Sequence, residues 1–110
     1  MDKKEIISGL ILELRRGMVV LSVLAKLNAP TYGYSLITEL ADAGITVEAN
    51  TLYPLLRRLE GQGMLESSWN TEGVKPRKYY ESTTLGKEVL AELRTHWQDA
   101  AQNMNKLLEV

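Results

Sequence analysis

No cysteine occurs in this chain of 110 residues, and histidine occurs once, as His96. The first absence excludes disulfide frameworks and thiolate metal sites, and it is compatible with a reducing compartment. The second leaves no zinc site and no histidine-based catalytic pair within one subunit, so His96 reads as a solvated or interface side chain. Long hydrophobic runs are missing too. The most apolar stretch, "MVVLSVLAKL", is about half of the ~20 residues a membrane-spanning helix needs. The opening "MDKKEIISG" lacks a signal-peptide layout, and a cytoplasmic protein without a membrane segment is expected. Neither sign of charge dominates: the net charge is −1 with a pI near 5.8, which argues against a uniformly basic nucleic-acid coat. There is no phosphate-binding glycine loop, and the carboxylates are scattered along what read as solvated helix faces. The chain therefore offers no catalytic constellation and no cofactor site.

What is present is an ordinary globular mixture, 45% apolar and 25% charged, at a length that suits one domain with a real core. Apolar residues at Ile6, Ile7, Leu10, Ile11, Leu14, Met18, Leu21 and Leu24 follow the i, i+3, i+4 rule and predict one long amphipathic helix, closed by "NAP" at Asn28 to Pro30. Gly17 marks either a break in that helix or a close contact. Leu36, Ile37 and Leu40 predict a short second helix, from about Thr31 to Gly33 until Ala43 and Gly44, where glycine supplies a left-handed cap. A third helix is expected from about Ala49 to Gln62 on the stripe Leu52, Leu55, Leu56 and Leu59; Pro54 means that it starts late or is kinked. "MLESSWNT" and "RKYYES" read as two strands joined by "EGVKP", a β-hairpin in which Tyr79 and Tyr80 point to opposite faces. Thr83 or Thr84 caps a last helix carrying Leu85, Val89, Leu93, Trp97, Ala100, Met104 and Leu108 at steps of three or four. The order predicts a mainly α fold with a small β-hairpin: a winged helix-turn-helix with an N-terminal helix and a long C-terminal helix appended.

The third helix carries the chemistry. Opposite its leucines lie Asn50, Tyr53, Pro54 and Arg57, with Thr51 and Arg58 on the flank. Arginine can clamp guanine and asparagine adenine by paired hydrogen bonds, while threonine and tyrosine hydroxyls hold phosphates. The bland alternative is a solvated face on which Arg57 or Arg58 pairs with Glu60 or Glu66. Residues 50 to 80 form the only net-positive third of the chain, and Lys75, Arg77 and Lys78 sit at or just past the hairpin turn, within reach of phosphates or a minor groove. A winged helix used as a protein interaction module, without specific DNA binding, is the rival reading, because the fold alone does not imply DNA.

The stretch "TLYPLLRRLEGQGMLESSW" followed by "PRKYYESTTLG" resembles the PadR family of bacterial transcriptional regulators. The resemblance covers nearly the whole chain: "ELRRGMVVLSVLAKL" is similar to that family's first helix, "PTYGYSLITEL" to its second, and "RKYY" to its wing strand. It implies a homodimer that represses transcription from a palindromic operator on double-stranded DNA and is often released by a small effector. Carried over by position, the DNA-contacting residues fall on Asn50, Thr51, Tyr53, Arg57, Lys75, Arg77 and Lys78. Where the family usually has an arginine, an apolar residue and a Thr-Pro helix start, this chain has Glu81, Ser82 and "TTLG", which leaves the cap to Thr83.

Residues 1–82 are thus expected to form the winged-helix DNA-binding domain and residues 83–110 a dimerisation helix. An apolar stripe outlasting what the domain needs calls for a partner, the simplest being a second copy, with Leu10, Leu14, Leu93, Trp97, Ala100, Met104 and Leu108 in the interface. Trp97 reads either as an interface anchor or as a ligand platform. Small members of the family with a single long C-terminal helix take flat aromatic compounds at the dimer interface, which puts a planar effector against Trp97 and His96, with Glu92 and Asp99 near enough to attract a cation.

Overall fold

The computed structural model describes residues 1–110 and contains α1 (Lys3–Lys26), β1 (Thr31–Tyr32), α2 (Gly33–Asp42), α3 (Ala49–Gly61), β2 (Leu65–Asn70), β3 (Arg77–Ser82) and α4 (Thr84–Leu108). It is mostly helical with a three-stranded antiparallel sheet in the order β1-β3-β2, the layout of a winged helix with a long C-terminal helix. The hairpin of β2 and β3 is as expected, but a third strand joins it. Thr31 pairs with Tyr80 and Tyr32 with Tyr79, a bridge of two residues that is too short to leave any periodic signal.

Asp2 caps α1 by accepting the Glu5 amide hydrogen bond at 2.9 Å. The helix then runs unbroken through Gly17, and nothing lies within 4 Å of where a Cβ would stand there. Gly17 is therefore neither a break nor a close contact. The apolar stripe of α1 is real, but only its C-terminal part enters the core: Val19, Val23 and Leu24 are buried with the capping Leu27, whereas Ile6, Ile7, Leu10, Ile11 and Leu14 stay exposed.

The core is a leucine cluster in which Leu27, Leu36, Leu52 and Leu56 have no exposed surface. Each such side chain contributes about 1.5–3 kcal/mol of burial free energy. Tyr80 is buried among them, while its neighbour Tyr79 is only half-buried, as strand alternation requires. α2 ends with Gly44 at φ +90°, and the α3–β2 turn places Gly63 at φ +82°, both in the left-handed region. Pro54 lies inside α3 without ending it. Its missing N–H leaves the Asn50 carbonyl without a helical donor, and because Asn50 and Pro54 are both exposed, solvent can satisfy that oxygen.

The end of the hairpin is tied down at several points. The Ser82 amide donates to the Leu27 carbonyl at 2.8 Å and the Thr83 amide to the Met64 carbonyl at 3.0 Å. The Thr83 hydroxyl accepts from the Gly86 amide at 3.1 Å and donates to the Gly63 carbonyl at 2.6 Å, so Thr83 is the cap of α4. Gly86 is the price of that closure: a Cβ there would stand 2.2 Å from the Met64 oxygen. Leu90 continues into the core, with Val89 and Leu93 packed at its edge. Beyond Leu93 every residue of α4 except Ala101 is exposed.

Candidate nucleic-acid interface

Four leucines, Leu52, Leu55, Leu56 and Leu59, bury one side of α3 and thereby fix which side faces outward. Asn50, Thr51, Pro54, Arg57 and Arg58 are all exposed there. Tyr53 departs from its expected outward position. It is half-buried and packs against the core cluster, leaving only part of its surface for a partner.

Neither arginine of α3 forms an ion pair, the one salt bridge of the structure being Lys26 with Glu39 at 3.8 Å. Glu60 is engaged elsewhere: its carboxylate accepts the Ser67 hydroxyl of β2 in a short hydrogen bond. The guanidinium groups of Arg57 and Arg58 consequently keep their donors for a ligand, and the solvated-pair alternative loses its partner at Glu60.

The wing is less simple than a single basic cluster. Lys75 is exposed in the turn, but Arg77 and Lys78 project from opposite faces of β3. Ser67, Trp69, Lys78 and Tyr80 share one face through the pairs Ser67 with Tyr80 and Trp69 with Lys78, and the Ser67–Glu60 bond puts α3 on that side. The Lys78 ammonium lies 5.3 Å from the Tyr80 ring centre and 5.9 Å from that of Trp69, which holds this side chain half-buried. Arg77 lies on the other face, its guanidinium 5.3 Å over the ring of Tyr32. Tyr32 in turn stands 5.8 Å from Tyr79 and 5.9 Å from Tyr34. The expected cluster of Lys75, Arg77 and Lys78 is thus divided between the turn and the two faces of the strand.

Nothing in the residue spacing singles out that aromatic row as part of the site. Tyr34 is 73% exposed at the start of α2, at the end of the row beside Tyr32. "TYGY" carries the residues in plain sight. What reveals their grouping is β1, whose pairing with β3 lays Tyr32 against Tyr79.

A second place of interest lies away from α3. Trp97 and His96 of α4 meet Gly17, Val20 and Leu21 of α1 around an open, mostly apolar hollow of about 290 Å³, with Leu93 at its edge. Trp97 is 47% exposed. Glu92 and Asp99, the carboxylates expected to draw a cation, do not line this hollow. Beyond it, Met104, Leu107 and Leu108 continue the exposed apolar side of α4, while Ile6, Ile7, Leu10 and Leu14 form the corresponding side of α1.

The sequence pattern of the transcriptional regulator PadR-like family matches residues 20–92. The chain is similar to a PadR family transcriptional regulator of Eggerthella lenta, whose crystal structure has a TM-score of 0.89 at 52% identity, covering 97% of this chain and 96% of that one. It also resembles a PadR-like transcriptional regulator of Bacillus cereus, with a TM-score of 0.80, 29% identity and coverage of 89% and 98%. A transcriptional regulator of Mycobacterium tuberculosis is 32% identical over 93 residues, 84% of this chain and 87% of that protein.

Proposed function

The chain belongs to the transcriptional regulator PadR-like family, and from that premise we propose that it represses transcription as a homodimer bound to a palindromic operator and is released by a flat aromatic compound. It is a transcriptional regulator and not an enzyme. The observation that carries the operator reading is the exposed, unpaired outer face of α3, with Asn50, Thr51 and Arg57 flanked by the wing. Arg57 and Asn50 are the proposed base readers. Thr51, the exposed edge of Tyr53, Lys75 and Arg77 are assigned to the phosphate backbone, and Lys78 to the α3 side of the wing, where its position between two rings aims it.

The dimer reading is supported by apolar faces that one copy leaves in water. Leu10 and Leu14 of α1 and Trp97, Ala100, Met104 and Leu108 of α4 are exposed, with Leu93 at the border of the core. A twofold axis along them brings two copies of α3 to one face of a duplex, the symmetry a palindrome mirrors. In functional terms residues 1–82 read DNA and residues 83–110 join the copies. No helix is long and apolar enough to cross a membrane, and the proposed cytoplasmic location follows from the work on chromosomal DNA.

Binding of labelled duplexes at several salt concentrations tests this. The wild-type protein is expected to select a palindromic sequence from random duplexes, with affinity falling steeply as salt rises. Arg57→Ala should cost about 1–3 kcal/mol on the selected site and relax base preference, whereas Lys75→Ala should weaken all duplexes alike. Absence of any salt-sensitive binding would hand the fold to the interaction-module reading.

A further inference from the structure

One side of α1 borders the start of α3. Arg15 and Arg16 are exposed and line one cleft of about 370 Å³ together with Leu12 of the same helix and Thr46, Glu48 and Thr51 at the start of α3. At 100° per residue, Leu12, Arg15, Arg16 and Val19 share one side of α1, turned about half a circle from the apolar side of Ile7, Leu10, Leu14 and Leu21. Val19 on this side is buried in the core. The arginines are therefore carried one turn beyond a fixed point and held over the start of α3. They do not belong to the exposed apolar face that a second copy would cover.

Their charge is also uncompensated. Glu48 is the carboxylate in the cleft, yet it forms no salt bridge with either arginine, and two guanidinium groups against one carboxylate leave the cleft net positive. Thr51 shares this cleft and is also one of the proposed phosphate contacts of α3. We propose that Arg15 and Arg16 bind the phosphate backbone of duplex DNA beside the start of α3, as a third contact patch in addition to α3 and the wing. The proposal rests on the DNA-binding reading above and extends it to a helix that otherwise serves packing. Contacts of this kind add affinity through counterion release and carry no base preference.

The test is a salt titration of a mixed-sequence duplex by fluorescence anisotropy, comparing the wild type with the double variants Arg15→Gln/Arg16→Gln and Arg15→Lys/Arg16→Lys. The glutamine variant should flatten the slope of log K against log salt by about 0.9 per lost phosphate contact, roughly 2 for a monomer and roughly 4 for a dimer. It should do so equally on selected and random duplexes, while the lysine variant keeps the wild-type slope. A glutamine variant with unchanged slope overturns this inference and leaves the DNA-binding reading standing. So does a glutamine variant whose sedimentation shows that it has lost wild-type assembly, because the arginines would then be interface residues. If the wild type itself shows no salt-dependent binding, both readings fall together.

Discussion

Gly86 and Ser82 lie at the joint between wing and last helix, and their chemistry runs in opposite directions. The Met64 carbonyl approaches Gly86 so closely that an added methyl would overlap the oxygen, and that carbonyl is held in place by the Thr83 amide. Gly86→Ala must push α4 away from the α3–β2 turn, at an expected cost of at least about 1–3 kcal/mol. Ser82 is 5% exposed and its hydroxyl has no hydrogen-bond partner. Removing an unsatisfied buried hydroxyl relieves a desolvation cost, so Ser82→Ala should be neutral or stabilising by up to about 1 kcal/mol. Thermal melting at one fixed protein concentration measures both: Gly86→Ala should lower the midpoint by several degrees and Ser82→Ala should hold or raise it. A clear drop for Ser82→Ala would mean that the hydroxyl has a partner, such as a buried water.

The two long helices each lead a double life along their length. In α4, Gly86 and Leu90 close the core, and the same side of the helix continues as Trp97, half-exposed at the hollow against α1, and then as the exposed Met104 and Leu108. In α1 the order is reversed: the exposed apolar turns come first and the buried ones last. A stripe that continues past its own core gains nothing from the domain that carries it, so the free ends are where a partner copy is expected. Truncation from Asp99 onward keeps every α4 residue of the core and removes most of the free stripe. It should leave a folded winged helix that sediments as a monomer or aggregates and has lost operator affinity. A well-folded truncated dimer in the ultracentrifuge would rule out this assignment of the interface.

The whole molecule is stretched by those helices. Its radius of gyration is 16.2 Å and its long axis 52 Å, against about 13 Å expected for the radius of a compact domain of about 100 residues. The proposed subunit interface lies on the free ends of α1 and α4, and the two helices pack against each other nearer the core. The hollow at Trp97 and His96 opens on that contact, so in the proposed dimer a ligand there would be positioned to change how the two copies are set. Binding alone does not release DNA; the ligand must favour an arrangement whose two α3 helices no longer match the groove spacing, since equal affinity for both arrangements shifts nothing. Planar dyes are expected to quench Trp97 and, in a parallel titration, to dissociate the operator complex. Half-exposed in the wild type, Trp97 should respond more weakly to the dyes after Leu21→Phe narrows the hollow without adding a second indole. Trp69, the second tryptophan, lies on the wing, so the titration belongs in a Trp69→Phe background. Quenching without release would make the hollow a binding place and not a switch.

Local pattern determined much of this protein. The leucine spacing of α3 settles which side of that helix is buried and so which residues are offered outward; Thr83 and Gly44 mark helix ends because capping needs only neighbouring residues. Tyr79 and Tyr80 divide between surface and core because a strand alternates. Other features depended on residues far apart in the chain. Periodicity says that a helix has an apolar side and cannot say what covers it, so only packing separated the buried Val19 and Val23 from the exposed Leu10 and Leu14 of the same helix. The strand β1 exists because β3 is there to pair with it, and the row of Tyr34, Tyr32 and Tyr79 follows from that pairing. Gly86 is required by the Met64 carbonyl, while at Gly17, no different in the sequence, a Cβ would have nothing within 4 Å. Arg15 and Arg16 look like one more solvated pair until the burial of Val19 brings them over the start of α3, because proximity across helices is set by the core between them and not by spacing along either one.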